Sequence, residues 1–273
     1  MIDMNMKNKI YQSLKALERW VEANNYKSYE PFDGLSSWLR IFTFRNQFLE
    51  RVLQQVVRRS IINIRPLIGV FPRESTKGRG YMAWGYIPMF RKTGDITYRN
   101  KAEELLDWLD KNKSAGYENH SWGNHFDFTS RGGKLAKHEP IIVWTALIGL
   151  VYLDMYELTK EARFMDVIKS ISRWIMELPR EKTPTGNCLS YVAFMQRSIH
   201  NSNMLGAAFL ARAAKYLEND ESRKVAKSAM EYSCTRQLTD GSWWYGEEEH
   251  FHWIDNFHTG YNLDSLKTYI EST

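Results

Sequence analysis

The strongest constraint on the fold is a helical design that recurs along the chain from residue 80 to the end. Four segments share one design, in which a Trp or a polar cluster is followed by small residues and then an apolar helix, at residues 82–90, 142–158, 200–217 and 258–270. Each contains one of the recurring glycines Gly85, Gly149, Gly206 and Gly260. Repetition of this kind predicts an array of helical hairpins. We expect these glycines to face the core, where small residues let two helices approach closely.

A second kind of helix alternates with the first. Residues 96–112, 161–178 and 221–238 have an apolar stripe opposite Lys, Arg and Glu, which is typical of a helix with one side in water. Residues 142–158, in contrast, are apolar nearly all round and should be buried. Buried inner helices inside amphipathic outer ones predict an all-α fold, an α/α toroid of helical hairpins. No stretch alternates with period two, so we predict no sheet.

The pattern also predicts the domain organisation. We expect one domain over residues 1–273, with less regular N-terminal helices in 1–66, at 5–24 and 36–63, and hairpin repeats in 80–273. The inner helix pattern at 258–270 has no amphipathic partner, so the toroid should be open or incomplete at its C-terminus. Either the chain is a truncated form of a longer protein, or a second subunit of a homo-oligomer covers the final helix.

Composition limits the partners and the compartment. Net charge is +5, and the local basic group Arg51, Arg58, Arg59 and Arg65 is expected to be a solvated helix face. Binding to nucleic acid or to an anionic membrane is the less favoured alternative, because no nucleic-acid motif accompanies the group. No run approaches the roughly 20 apolar residues of a membrane span, and the N-terminus lacks the apolar region of a signal peptide. Cys188 and Cys234 are expected to be free thiols, which predicts a cytoplasmic protein.

The candidate site lies in three long loops that precede inner helices. These loops contain all seven histidines and no helix body contains one; the residues are His120, His125, His138, His200, His250, His252 and His258. Because the loops occupy the same place in successive hairpins, a toroid brings them to one rim, where ligands bind in barrel-like folds.

Several chemistries fit these loops. The candidate acid–base residues are Asp127, Asp255, His258, His125 and Glu247. Asp255 with Asp127 or Glu247 would form a glycosidase carboxylate pair, whereas a carboxylate with a His would act as general base and acid. Alternatively, His250, His252, Asp255 and His258 would hold a divalent metal, although their spacing matches no metal motif. The plainest alternative is that these residues tie loops to helix ends, with Asp255 as a helix cap. We assign no metal and no cofactor.

Substrate-binding candidates are the aromatic and polar residues of the same rim. They are Trp122, Arg131, His200, Asn201, Asn203, Trp243, Tyr245, Trp253 and Asn256. Trp and Tyr faces are suited to sugars, and Arg131 with His125 would hold a carboxylate or phosphate. Helix N-termini that point at one mouth would also attract an anionic ligand. No phosphate loop, dinucleotide fingerprint or nucleophile elbow is present, which disfavours nucleotide-dependent reactions and Ser hydrolysis.

Three resemblances follow from particular segments. Residues 237–243, Gln-Leu-Thr-Asp-Gly-Ser-Trp, resemble the Gln-x3-Gly-x-Trp repeat of terpenoid cyclases, which joins outer helices to the next turn of an α/α toroid. The Asp-x-Asp-Asp acid motif of squalene cyclases is absent. The hairpin array with its Trp- and His-rich loops resembles the six-hairpin glycosidase superfamily of hydrolases, lyases and epimerases. Residues 198–212 and 252–267 resemble a bacterial toroid family associated with surface-polysaccharide synthesis.

These resemblances imply a protein that acts on or binds a polysaccharide or its precursor, with a hydrolase-, lyase- or epimerase-like site in the rim loops. The expected partner is therefore a carbohydrate. Two other hypotheses stay open, a terpenoid-cyclase-like protein that binds a prenyl chain and a non-catalytic interaction scaffold.

Overall fold

The computed structural model describes residues 4–273, so the first three residues of the predicted domain lie outside the described residues. The helices of the repeat region form three hairpins and one further helix in this part of the chain. They are α3 (Thr76–Thr93) with α4 (Ile96–Lys111), α5 (Ile142–Thr159) with α6 (Ala162–Glu177), α7 (His200–Leu217) with α8 (Asp220–Cys234), and α9 (Asn256–Ile270). The predicted α/α toroid of helical hairpins is confirmed.

Each hairpin closes through the same two-residue turn. Its first residue adopts a left-handed conformation and ends the inner helix, as Gly94 (φ 71°), Lys160 (φ 59°) and Glu218 (φ 47°) do. Its second residue is extended and precedes the outer helix. Asp95 and Asn219 at this second position accept hydrogen bonds from the first turns of α4 and α8.

The inner helices pack side by side. α5 contacts α3 and α7, and α7 in turn contacts α9, while each outer helix covers its own inner partner. Within the described residues, α5 is the one helix long and apolar enough to cross a membrane, although we expected no such stretch. It lies in the core, with 67% of that 18-residue window buried. By length and composition alone, the core helix of a folded protein passes the same test.

The four recurring glycines do not share one role. A Cβ on Gly149 would lie 2.5 Å from the Phe209 ring, and one on Gly206 would lie 2.5 Å from Ile142, so both permit close helix packing as expected. Gly85 and Gly260 have no other heavy atom within 4 Å of that position. The expectation of a core-facing role is therefore wrong for these two residues.

The expectation that the chain has no strands is also wrong. Three antiparallel two-stranded ribbons are present in the described chain: β1 (Lys27–Ser28) with β2 (Arg73–Glu74), β3 (Phe128–Ser130) with β4 (Gly133–Leu135), and β5 (Arg180–Thr183) with β6 (Gly186–Leu189). With two to four residues per strand, none is long enough to produce a period-two pattern in the sequence.

The N-terminal part is less regular than the repeat region. Helix α1 (Met4–Ala23) is attached to α4 through an ion pair of 2.6 Å between Glu18 and Lys101. The helix predicted at 36–63 is two elements, a 3-10 segment at Trp38–Thr43 and helix α2 (Gln47–Arg59). The break lies at Phe44 and Arg45, whose φ angles are 49° and 57°. Left-handed residues other than Gly leave no signal in a hydrophobic pattern.

Candidate functional site

An axial groove runs between the four inner helices α3, α5, α7 and α9. Its volume is about 520 Å³, and its wall is built from equivalent positions of the repeat. The sixth residue of each inner helix lines it, namely Tyr81, Leu147, Leu205 and Tyr261. The ninth residues Trp84, Leu150 and Asp264 line it as well. The groove is therefore a product of the repeat itself.

The groove has one aromatic side and few charges. Tyr81 stacks on Trp84 with ring centres 6.3 Å apart, and Phe257 meets Tyr261 edge-on at 5.0 Å. The hydroxyls of Tyr81 and Tyr261 are hydrogen-bonded at 2.5 Å, which joins the first inner helix to the last. Burial, followed by this hydrogen bond, raises the pKa of Tyr81, so its hydroxyl stays protonated at neutral pH.

The remaining polar groups of the groove differ in availability. Arg212 is paired with Asp154 and Glu157, so its charge is already neutralised. Ser265 is 2% exposed, and its hydroxyl has no hydrogen-bond partner among the described residues. The carboxylate of Asp264 takes part in no ion pair within the described chain. Asp264 is thus free to bind a ligand in the groove, whereas the Ser265 hydroxyl is enclosed by protein.

The three long loops meet at one rim, as the repeat predicts. Backbone hydrogen bonds join the second loop to the third, from Glu247 N to Ser198 O (3.0 Å) and from His200 N to Tyr245 O (3.1 Å). The tip of the β3–β4 ribbon in the first loop abuts the third, because a Cβ on Gly132 would lie 2.6 Å from the Phe251 ring.

A narrow cavity at this rim contains Asp255 and His258 of the third loop. It is lined by Asn201, Trp243, Trp244, Tyr245, Trp253, Asp255, His258, Thr259 and Asn262. Asn201 and Asn262 are 4% and 2% exposed, yet the Oδ1 atom of each lacks a hydrogen-bond partner among the described residues. Buried acceptors without partners are costly and uncommon in folded proteins. These two amides are therefore candidates for binding a ligand hydroxyl.

An Asp–His pair lies in the wall of this cavity. Asp255 caps α9, and its Oδ1 accepts from His258 N at 2.8 Å, while its Oδ2 lies 2.7 Å from His258 Nδ1. The imidazole is held edge-on against the rings of Tyr245 (4.6 Å) and Trp253 (5.1 Å). His258 Nε2 makes no hydrogen bond within the described residues and is the free end of the pair.

The electrostatics of Asp255 support an ionised carboxylate. Burial acts to raise its pKa, but the hydrogen bonds from the backbone and side chain of His258 outweigh that effect and hold the pKa below its usual range. An ionised Asp255 fixes the proton of His258 on Nδ1, which leaves Nε2 as the acceptor. The pair therefore has the arrangement of an oriented general base.

Tyr245 and Trp253 form a stacked pair with ring centres 4.4 Å apart. Both were predicted to bind substrate, and both line the narrow cavity with Asn201. Asn256, the first residue of α9, is exposed beside them.

Two tryptophans predicted as sugar platforms are unavailable for that role. Trp122 is 0% exposed, stacks on Tyr152 at 6.1 Å and donates its indole N–H to Leu109 O. Trp243 is 4% exposed and donates to Ser233 O at the end of α8. Their polar atoms are bonded to the backbone and their faces are covered, so both are core residues.

His200 and Asn203 are also structural, contrary to prediction. Both lie in the first turn of α7, as does Asn201. His200 is 1% exposed and uses both ring nitrogens, on Ser233 Oγ (3.1 Å) and Glu247 Oε1 (2.7 Å). The amide of Asn203 bonds to β6 and α8. The expectation that no helix contains a His is wrong for His200 and His258.

Other predicted residues are held by separate partners. Glu247 binds His200 and Arg236, and the hydrogen bond from His200 lowers its pKa. Asp127 pairs with Arg40 and accepts from Lys137 N at 3.0 Å, so its carboxylate is held by partners outside the third loop.

His125 and Arg131 do not form the expected anion site. Burial lowers the pKa of His125, which lies near the charges of Glu30 and Arg73. Arg131 is exposed and lines a different groove, beside α2.

The metal alternative is not supported by the geometry. His250 lies 3.3 Å from Glu248, His252 Nε2 bonds to Glu247 O, and His258 is held by Asp255. Across residues 4–273 no three His, Cys, Asp or Glu side chains are grouped to hold a metal ion.

Sequence reasoning missed the groove residues Tyr81, Trp84, Tyr261 and Asp264. Their shared signal is position rather than residue type, because each is the sixth or ninth residue of an inner helix. An alignment of the four inner helices by their first turns would have found them.

Comparison with solved structures identifies the class of fold. The α-1,6-mannanase of Salegentibacter superposes with a TM-score of 0.57 at 15% identity, covering 74% of this chain and 56% of the enzyme. Cellobiose 2-epimerase of Bacillus thermoamylovorans gives 0.57 at 12% identity, covering 89% and 69%. An unsaturated glucuronyl hydrolase specific for heparin gives 0.53 at 15%, covering 72% and 59%.

The chain thus shares the α/α-toroid fold of these three enzymes. It spans little more than half the length of the mannanase that it matches. No family model matches the chain, and no curated protein matches its sequence.

Proposed function

We propose that the protein binds a polysaccharide or its precursor in the axial groove and acts on it from the rim. The proposal rests on the first turns of α9, which contribute residues both to the axial groove and to the rim cavity. Phe257 and Tyr261 line the aromatic groove, while the neighbouring residues His258 and Asn262 line the rim cavity. A sugar against the aromatic side of the groove therefore lies next to the Asp255–His258 pair.

The groove offers what a sugar ring requires. Its aromatic faces at Trp84 and Tyr261 pack against C–H groups, and the exposed Asp264 carboxylate binds hydroxyls. The rim cavity is too narrow to admit a water molecule, so a hydroxyl reaches Asn201 and Asn262 only when the rim loop shifts. Binding would then satisfy two buried acceptors that the free protein leaves unpaired.

The Asp255–His258 pair favours proton transfer over glycoside hydrolysis. A glycosidase needs a carboxylic acid whose pKa is raised, together with a second carboxylate. The pKa values of Asp255 and Glu247 are both lowered, so neither supplies the acid. In addition, the mannanase is inactive when two consecutive aspartates are changed, and this chain contains no two consecutive aspartates. We therefore propose an epimerase- or lyase-like reaction, with His258 Nε2 as the base that removes a C–H proton.

The resemblance of residues 198–212 and 252–267 to a family associated with surface-polysaccharide synthesis supports a bacterial envelope glycan, or its precursor, as the substrate. A prenyl chain is the alternative ligand. It is favoured by the turn after α8, where Gln237 Nε2 donates to Gly241 O at 2.8 Å in the segment that resembles the cyclase repeat.

The test is a binding screen followed by isotope exchange. Thermal shift and calorimetry with neutral and uronate-containing oligosaccharides should detect binding. We expect Trp84→Ala and Tyr261→Ala to weaken binding by about three- to tenfold through lost stacking. Trp38→Ala is the matched control, because Trp38 is exposed and lies outside the groove. Reducing disaccharides incubated in D₂O should gain deuterium at the carbon next to the carbonyl, and His258→Gln should abolish this gain.

Three results would contradict the proposal: no binding anywhere in the screen, equal binding by Trp84→Ala and the wild type, or exchange that persists in His258→Gln. Binding of a prenyl diphosphate without any sugar would support the cyclase-like alternative. Biological activity unchanged by Asp255→Ala and His258→Ala would point to a non-catalytic scaffold.

A further inference from the structure

Helix α2 buries two polar side chains and exposes an apolar stripe. Its buried side contains Glu50 and Gln54, which are 0% and 2% exposed, together with Val57 at 1%. Its outer side exposes Phe48, Val52 and Val56, which are 66%, 42% and 56% exposed and spaced four residues apart. Side chains at that spacing form one stripe along a helix. We call this stripe the α2 apolar face.

Specific contacts fix this orientation. Gln54 exchanges two hydrogen bonds with the backbone of Thr129, each of 2.9 Å. Glu50 accepts from Thr129 Oγ1 at 2.8 Å and pairs with Arg40 and Lys134. These bonds compensate the buried polar groups, and turning the helix over would break them all. The apolar face is thus held outward by the rest of the structure.

The face is continuous with other exposed apolar side chains. The 3-10 segment at Trp38–Thr43 contacts α2, and Ile41, Phe42 and Phe44 in or just after it are 73%, 62% and 82% exposed. Ile61, just beyond the end of α2, is fully exposed. Contiguous exposed apolar surface of this extent marks an interaction site.

Charge identifies the occupant. Residues 38–71 contain six Arg and one acidic residue, the buried Glu50. Arg40 and Arg65 are paired with carboxylates. The other four arginines have no carboxylate partner within the described chain: Arg45, Arg51, Arg58 and Arg59. Three of these line the groove of about 680 Å³ beside α2, together with Arg131 and the α2 apolar face.

A second copy of the chain is a poor match for this surface. A two-fold interface lays the same patch of each subunit against the other, so the unpaired arginines would face arginines. An anionic lipid surface, in contrast, neutralises them, while apolar side chains enter the boundary between headgroups and acyl chains. We propose that the α2 apolar face and its arginines bind the protein to an anionic membrane surface, with α2 lying in the plane of the interface.

Vesicle co-sedimentation tests this directly with the full chain. Vesicles of equal parts phosphatidylcholine and phosphatidylglycerol should bind the protein at low salt, and phosphatidylcholine vesicles should not. The double variant Arg45→Gln/Arg59→Gln should weaken binding by about 30-fold. The control is the double variant Lys182→Gln/Lys224→Gln, which removes the same charge from exposed residues elsewhere. It should bind the anionic vesicles more tightly than Arg45→Gln/Arg59→Gln does.

The apolar contribution has its own variant. Phe48→Ser/Val56→Ser should reduce vesicle binding by at least about tenfold, while Ile270→Ser, at a residue of 65% exposure, should not. All of these positions are exposed, so the variants should fold, which circular dichroism can verify. Equal binding by variants and controls would overturn the proposal. The proposal would also be overturned if the protein bound no vesicles but formed a dimer that Phe48→Ser abolishes. The α2 apolar face would then be occupied by a second copy of the chain. Absence of both binding and dimer would overturn it as well.

Discussion

Asp255 uses its two carboxylate oxygens for two purposes: Oδ1 caps α9 through His258 N at 2.8 Å, and Oδ2 holds His258 Nδ1 at 2.7 Å. The same residue therefore stabilises a helix and orients the proposed base. A substitution of Asp255 that keeps the helix cap but removes the negative charge can separate helix stabilisation from orientation of the base.

The first prediction uses this difference. Asp255→Ala should destabilise the protein by about 1 kcal/mol, because Ala cannot cap α9. Asp255→Asn should retain most of that stability, because its amide oxygen still accepts from His258 N. Both variants should lose proton exchange on the sugar, since neither holds the imidazole with a negative charge. Urea denaturation and the D₂O assay measure the two effects. Full exchange activity in Asp255→Asn would show that the carboxylate has no role in orienting the base.

The second prediction concerns pH. The pKa of Asp255 is lower in the folded than in the unfolded protein, so its ionised form contributes stability that is fully present above the unfolded value of about 3.9. That contribution is lost as the pH falls through the folded value. The difference in unfolding free energy between wild type and Asp255→Asn should thus shrink as the pH falls below about 4. A difference that grows below about pH 4 would contradict the direction of the shift.

The sequence predicts those parts of the fold that depend on local pattern. Inner and outer helices differ in hydrophobic periodicity, and turns such as Lys160–Glu161 lie where that periodicity changes, so the hairpins and the meeting of the loops followed from the repeat. Trp122 could not be placed in this way. It lies in a polar, Gly-rich loop, and only its contacts with Tyr152 and Leu109, distant in sequence, bury it.

The site was predictable only in part for the same reason. Asp255 and His258 are three residues apart at a helix start, so their pairing is a local event that the capping pattern indicates. The orientation of α2 is not local, because it depends on Thr129, which lies 75 residues from Gln54. A hydrophobic pattern would place Phe48 and Val52 in the core, whereas tertiary hydrogen bonds place Gln54 there.

The third prediction tests whether Glu247 is structural. Glu247→Ala removes the partner of His200 Nε2, a ring nitrogen on a side chain that is 1% exposed. Leaving a buried polar atom unpaired should cost about 1–3 kcal/mol. The neighbouring Glu248→Ala breaks only the exposed contact with His250, and should cost less than about 0.5 kcal/mol. Chemical denaturation of the two variants in parallel measures both values, and equal costs would argue against a structural role for the His200–Glu247 pair.

The fourth prediction separates the two kinds of recurring glycine. Gly149→Ala places a Cβ 2.5 Å from the Phe209 ring in the packed interface of α5 and α7, and should destabilise the protein by about 1–3 kcal/mol. Gly85→Ala is the matched control within α3, where no neighbouring atom lies within 4 Å. Because Ala has the higher helix propensity, Gly85→Ala should instead stabilise by about 0.5–1 kcal/mol. Thermal melts should therefore shift in opposite directions. A shared direction would mean either that α5 and α7 are packed less closely than described, or that Gly85 lies against a surface that covers α3 in solution.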